Sequence, residues 1–375
     1  MEKIEKMKIL YITTIGGTMS FFETMIRRLV EDGHSVDLAC SETESTNLVF
    51  YRNLGCKIYP LSCARAVTDP GNLRAIGQIG KLVKQKHYDI VHVHTPIAAA
   101  CARIACRKVR KTGTKVFYTA HGFHFFKGAP LINWLLFYPV EWLCSFWTDV
   151  QITINQEDFA RAKKLHAKCV EYVPGVGVDV GKFTTGKVSK REKREELGIP
   201  EEAFVLMSAG ELNTNKNHQV IIRAIAACKH SKMHYLIAGK GKQASVLKRL
   251  AQDLQVAERV HILGYRMDVD ELLQSADVYV HPSFREGLPL AIMEAMASGL
   301  PCVVSDIRGN SELIDAQVKG GYRCDPKNVK GFAAAIQSLF QSEETRQRMG
   351  SRNAKFVEQF SQIIVLEKMC DIYYG

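Results

Sequence analysis

The chain reads as an α/β protein built from two doubly wound parallel sheets, and three observations carry that reading. Short apolar runs rich in β-branched residues alternate with helical stretches almost throughout, which implies parallel strands covered on both faces. The rhythm starts afresh after residues 174–198, PGVGVDVGKFTTGKVSKREKREELG, a Gly-, Thr- and Lys-rich stretch that suits a linker. A length of 375 residues gives each half enough chain to bury its own core.

In order, KILYITT (8–14) is a buried strand that runs into Gly16-Gly17-Thr18. A helix is expected from Ser20, whose spacing to Glu23 fits a capping box, to just before Gly33. Strands follow at 35–40, 56–61, 89–95, 115–120, 149–154 and 169–173, and after the linker at 203–210, 233–239, 259–264, 277–282 and 301–306. The C-terminal stretch from Arg352 to Tyr374 reads as one helix. The domains expected are 1–180, 181–351 and a closing helix over 352–375, with two Rossmann-like halves facing a cleft. In such sheets ligands sit beyond the carboxyl ends of the strands.

Composition narrows the function classes. The net charge is +11, of which +7 falls on residues 1–180, so phosphate-bearing ligands or anionic lipid are favoured partners. Nucleic acid is disfavoured, because no basic stripe with interleaved aromatics appears. The eleven cysteines show no CxxC pair and no zinc-like Cys/His spacing, so reduced thiols in a cytoplasmic protein are expected and no metal site is assigned. The N-terminus is charged and runs straight into a strand, unlike a signal peptide.

Candidate site residues cluster at strand ends. Gly16 and Gly17 would let the backbone approach a phosphate near a helix N-terminus, or simply make a tight turn. His121 in AHGFHF follows a strand, where a loop histidine is as readily structural. Lys216 in AGELNTNKNH stands just before a helix and could neutralise a departing diphosphate. Gly239 and Gly241 lack the third glycine and the acid of a dinucleotide fingerprint. In EGLPLAIME, Glu286 and Glu294 flank an apolar segment: Pro289 suits the first helical position and Gly299 the position past the last turn. Both acids then lie near the positive end of a short helix.

The string HPSFREGLPLAIMEAMASGLPCVVSD (281–306), with its E-x7-E element, the early glycine loop, HGF, the lysine before a helix and GYRMDV resemble the retaining GT-B glycosyltransferases of family four, over nearly the whole chain. GELNTNKNHQ and YTAHGFHFF are similar to bacterial enzymes of exopolysaccharide and capsule synthesis. The resemblance implies roles. Glu286 would hold donor-sugar hydroxyls, with the backbone of Gly287 and Leu288 near the sugar and diphosphate. Glu294 would accept from the ribose hydroxyls, Lys216 and Gly17 would lie at the diphosphate, and His121 would sit beside the sugar. The loop Tyr265-Arg266-Met267 would hold the nucleobase, and the C-terminal helix, 352–375, would return to pack on the first domain. Family members usually carry arginine where this chain has Glu211, with Asn213 a candidate to compensate.

The implied activity is transfer of a sugar from a nucleotide donor, a UDP-sugar, to a polyprenyl-diphosphate-linked glycan, with no cofactor or metal. A UDP-sugar epimerase and a non-catalytic sugar-nucleotide-binding protein are the rival readings. LINWLLFYPVEWLCSFW (131–147) is too short to span a bilayer. It reads as a core helix of the first domain or, aided by RKVRK (107–111), as a face for peripheral attachment at the inner side of the plasma membrane.

Overall fold

The computed structural model describes residues 5–42, 48–184 and 188–375. The chain forms two compact units, one of Met1–Val176 with Val365–Gly375 and the other of Gly177–Ile364. Among the described residues the first holds seven strands: β1 (Lys8–Ile15), β2 (Ser35–Ser41), β3 (Ile58–Pro60), β4 (Ile90–His94), β5 (Lys115–Ala120), β6 (Val150–Thr153) and β7 (Cys169–Tyr172). Their order is β3-β2-β1-β4-β5-β6-β7. The second holds β8 (Phe204–Ala209), β9 (Met233–Ala238), β10 (Val260–Gly264), β11 (Val278–His281), β12 (Cys302–Ser305) and β13 (Gly321–Cys324), ordered β10-β9-β8-β11-β12-β13. Pairings between named strands are parallel. Each sheet therefore reverses its winding once, between β1 and β4 and between β8 and β11, and crevices open at such switch points.

Alternation along the strands covers both faces of the first sheet. Leu10, Ile12, Val91 and Val93 join one core, while Ile9, Tyr11 and Ile90 join another. The second unit has a core of its own around Leu206, Tyr235, Val280 and Ile336. An aspartate pins the register in three places. Asp89, Asp149 and Asp277 each stand just before a strand and accept from the backbone N–H of Lys8, Val116 and Val205, at 2.7, 2.8 and 2.7 Å.

Four expectations need correction. Residues Gly16–Phe22 form a 3-10 helix, and the α-helix starts only at Glu23 with no side-chain cap; the Ser20 hydroxyl donates to Gly17 O instead. The linker stretch is largely helical, over Val180–Thr184 and Lys190–Glu196, the latter with a true capping box of Ser189 and Glu192. The units change over at Val176/Gly177 and again at Ile364/Val365, so the C-terminus does return to the first domain, but with its last eleven residues and not from 352. The C-terminal stretch is not one helix: Glu343–Phe356, a 3-10 turn at Val357–Phe360 and Gln362–Tyr374 succeed one another.

The apolar stretch 131–147 is a surface helix with apolar residues on both sides, not a buried core helix: Trp134, Phe137 and Tyr138 pack half-buried on the core of the first unit while its leucines face outward. Over Leu131–Ser145 its buried residues are Glu141, Cys144 and Ser145, while Leu131 and Leu135 are 80% and 71% exposed. Glu141 turns inward because Arg103, wholly buried, meets it with two hydrogen bonds of 2.6 and 2.9 Å. Gln151 adds a third at 3.2 Å, which satisfies a charge that burial would otherwise penalise heavily.

Candidate functional site

The site of the second unit grows from the carboxyl ends of β8 and β11, the neighbours at its switch point. The loop after β8 is shaped by its asparagines. Asn213 Oδ1 accepts from Lys216 N at 3.0 Å while its Nδ2 donates to Glu211 at 3.1 Å. Asn217, in the left-handed region at φ 53°, donates to Pro282 O and Pro326 O. Asn215 Nδ2 donates to Arg285 O at 2.9 Å and Phe284 N donates to Asn215 O at 2.8 Å, so the loops after β8 and β11 are stitched together. A Cβ on Gly210 would come within 3.2 Å of Lys216 Cε, so glycine there lets the lysine lie flat along the strand end.

That frame brings two of the expected residues into contact: Lys216 Nζ lies 2.8 Å from Glu286 Oε1. The same oxygen lies 3.0 Å from His281 Nε2, and Ser283 Oγ and the Tyr279 hydroxyl flank the imidazole at 3.2 and 3.4 Å. Burial holds His281 below its ordinary value, as does the nearby Lys216 charge, so it serves as a neutral N–H donor. Burial works against an ionised Glu286, but the hydrogen bond from His281 and the charge of Lys216 outweigh it and hold the carboxyl well below the usual range. Among the described residues no hydrogen bond reaches Glu286 Oε2. The carboxylate is thus fixed by one oxygen and open at the other.

Glu294 has the opposite surroundings. It lies in the helix Leu290–Ala297, which starts one residue after Pro289 and ends in a turn where Gly299, at φ 71°, and Leu300 donate to Met296 O and Ala295 O. Burial pushes its carboxyl up to about 7, only partly offset by Lys182 and reinforced by Asp270. Among the described residues no hydrogen bond reaches its carboxylate. The backbone of Gly287 and Leu288 is held by contact with Gly309, where a Cβ would lie 2.2 Å from Gly287 O. Arg266 is drawn elsewhere: its guanidinium bonds Asp268 at 2.5 and 2.7 Å and Glu196 at 2.9 Å.

The first unit carries Gly16, Gly17 and His121. A Cβ on Gly16 would strike Glu42 O at 2.7 Å, so that glycine serves packing, whereas one on Gly17 would meet nothing within 4 Å. His121 Nε2 lies 3.2 Å from Nδ1 of buried His94, which stacks on Phe22. Desolvation on the protein side depresses the His121 imidazole below its ordinary value, although its outer face is open to solvent. At the end of β4, Thr95 takes φ 66°, a strained value for a β-branched residue, and bonds Thr14 across the switch point at 2.8 Å.

Sequence reasoning missed His281, Asn215, Asn217, His94 and Thr95. His281 and its neighbours stood in the quoted HPS string, but their role depends on β11 lying beside β8, which spacing alone does not reveal.

Comparison with known proteins shows the family. Residues 15–174 match the model described as Glycosyltransferase Family 4, and residues 189–356 match that of Glycosyl transferases group 1. "Putative glycosyltransferase EpsD" of Bacillus subtilis (strain 168) is 38% identical over 320 residues, 84% of either chain. The chain belongs to this glycosyltransferase family. The enzyme is also 27% identical over 354 residues, 92% of its own length and 90% of the other's, to an Escherichia coli protein named UDP-Gal:alpha-D-GlcNAc-diphosphoundecaprenol alpha-1,3-galactosyltransferase. Anabaena HepE, crystallised in complex with UDP, shares the fold of the glycosyltransferase at TM-score 0.82 and 18% identity, covering 98% of this chain and 99% of that one. The two-sheet architecture is accordingly the GT-B fold.

Proposed function

We propose that the enzyme transfers a hexose from a UDP-sugar to a polyprenyl-diphosphate-linked glycan, with retention at the anomeric carbon. The observation that carries this is the triad of Glu286, Lys216 and His281. One carboxylate oxygen is locked by a cation and an imidazole while the other is left to a ligand, which suits gripping sugar hydroxyls more than attacking carbon. Acceptor class rests on the E. coli relative, whose name specifies a diphosphoundecaprenol-linked sugar.

In this reading Glu286 Oε2 accepts from the donor sugar, and Glu294, with an acceptor atom lacking protein partners among the described residues, takes the ribose hydroxyls. As the sugar–phosphate bond breaks, negative charge grows on the diphosphate. Lys216 and the backbone amides at the starts of the helices His218–Cys228 and Leu290–Ala297 supply preorganised positive potential for it. The departing phosphate takes the acceptor's proton on the same face, so no separate base and no metal is assigned. Gly17 and His121, in the first unit, keep only the roles that the resemblance implies for them. Glu211, held by Asn213, gives no cation where the resemblance leads one to expect arginine, so Lys216 carries more of the charge. Arg266, tied to acids, leaves nucleobase contact to its exposed neighbours Tyr265 and Met267.

The test is hydrolysis and transfer across a panel of UDP-sugars. Glu286→Gln is expected to lower turnover by about 10²-fold or more, with UDP affinity within a few-fold of the parent. Undiminished turnover would remove Glu286 from the site.

Peripheral membrane attachment is part of the proposal and rests on the exposed leucines of the helix Leu131–Ser145. No described helix is long and apolar enough to cross a membrane. A helix that turns leucines outward suits lying in a bilayer interface, and exposed Arg107, Lys108 and Lys111 supply charge for anionic headgroups. The protein should co-float with phosphatidylglycerol vesicles, and Leu135→Glu should release most of it. Flotation unaffected by that change would place any attachment elsewhere.

A further inference from the structure

We infer that the first unit contains a hydrocarbon subsite that takes the first isoprene units of the acceptor's lipid; this rests on the acceptor class proposed above. A cavity of about 180 Å³ lies between the helices Pro96–Cys106 and Leu131–Ser145. Ala100, Ile104, Phe123, Phe125, Leu136 and Val140 form most of its apolar wall. A dry apolar cavity of about 150 Å³ accepts a six-carbon ligand such as benzene, so a five-carbon branched unit fits here.

The lining, mostly apolar, disfavours a sugar. Two of its polar members are already engaged: Asn72 bonds Ala64 N, Ala66 O and Val67 O, and Glu141 is held by Arg103 and Gln151. Among the described residues, none of the buried polar atoms lacking a partner belongs to the lining. A glycan placed there would lose its hydrogen bonds to water and find few in return, whereas a hydrocarbon loses nothing.

Position decides which hydrocarbon. Leu136 and Val140 line the cavity and are also exposed on the helix Leu131–Ser145, so its mouth continues the surface proposed to lie in lipid. The opposite wall is Phe123, two residues beyond His121 and hence within roughly 7 Å of it along the chain. A ligand with a sugar diphosphate near His121 and a tail returning to the bilayer would pass through this cavity. The polyprenyl-diphosphate acceptor has that form, and its branched units match the stacked Phe123 and Phe125 rings, 4.8 Å apart, and the β-branched Ile104 and Val140.

The whole protein would be titrated with geranyl phosphate, octyl phosphate and inorganic phosphate, followed by the fluorescence of its tryptophans, of which Trp134 packs on Phe125. Geranyl phosphate is expected to bind at least tenfold tighter than inorganic phosphate and severalfold tighter than octyl phosphate. Ala100→Phe, which fills the cavity, should abolish the preference, and Leu136→Gln, at an exposed position that tolerates polarity, should weaken it severalfold. Both variants should bind UDP as the parent does, which shows that they fold. A preference that survives both changes, or a parent with none, would overturn the subsite. Equal binding of octyl phosphate would overturn the isoprenoid assignment in favour of a straight acyl chain. Failure of the parent to bind UDP would instead sink the donor reading and leave the cavity result standing by itself.

Discussion

Two glutamates of one short motif end up with opposite chemistry because of what lies next to each. Glu286 meets His281 and Lys216 at hydrogen-bond distance and stays ionised. Glu294 is enclosed without such partners and is raised to about 7. The signs of the two linkages differ accordingly. The stability contributed by Glu286 is present above its unfolded value of about 4.3 and is lost as pH falls; Glu294 destabilises progressively as pH rises from about 4.3 through 7. Ribose hydroxyls donate to a carboxylate, so a bound nucleoside favours the ionised form. Affinity for uridine, which carries no titrating phosphate, is therefore expected to weaken as pH drops below 7, by up to about tenfold per unit. It should level off above 7, and Glu294→Gln should flatten the profile at the weak end. A parent profile already flat across that range would remove Glu294 from the ribose.

At the scale of elements, the repeated strand-entry aspartate fixes which residue faces which across neighbouring strands. The three copies differ in surroundings. Asp277 also binds Lys190 at 2.6 Å and buried Arg194 at 2.8 Å, whereas Asp89 is exposed. Asp277→Asn strands a buried guanidinium and is expected to cost about 3 kcal/mol in urea unfolding, with Asp89→Asn costing under about 1 kcal/mol; equal costs would refute the ranking. Asp149 shows the acid side of the same device. Burial alone would raise it, yet Arg110, Lys168 and Val116 N bring it down to about 2, so its contribution fades as pH falls from about 4 toward 2. The sequence made the strands legible because each is a compact apolar run ended by polar residues. It did not disclose β13, whose four residues GYRC carry too little pattern to rise above the turn around them. Nor did it disclose which way the helix Leu131–Ser145 faces. Hydropathy counts apolar residues, but the orientation is set by Glu141 meeting Arg103, thirty-eight positions earlier. The E-x7-E motif marked the candidate site; the asparagine frame and His281 that hold Glu286 in place arise only once β8 and β11 are neighbours.

Across the whole molecule, the chain leaves its first unit at Val176, builds the second, and returns at Val365 to finish the first. The last eleven residues are structural members of that unit. Val365, Met369 and Tyr373 are buried in the core that contains Tyr11, Phe22 and Phe117. The Tyr373 hydroxyl donates to the Tyr11 hydroxyl at 2.6 Å and meets His92, and the Tyr374 hydroxyl donates to Asp32 at 2.6 Å. At about 1.5–3 kcal/mol for each large buried side chain, losing three removes an amount comparable to the roughly 5–15 kcal/mol that holds an ordinary domain together. Deleting residues 362–375 should therefore unfold or loosen the first unit while the second, with a core of its own, stays intact. Limited proteolysis is expected to cut throughout residues 5–176 of the shortened chain and to spare 188–356. Tyr373→Phe isolates the hydroxyl: it keeps the ring and removes hydrogen bonds from a buried site, so about 1–3 kcal/mol should be lost from the unfolding of the first unit alone. If both variants resist protease across the first unit as the parent does, the returning segment is an appendage and the first unit must draw its stability from residues before Val176.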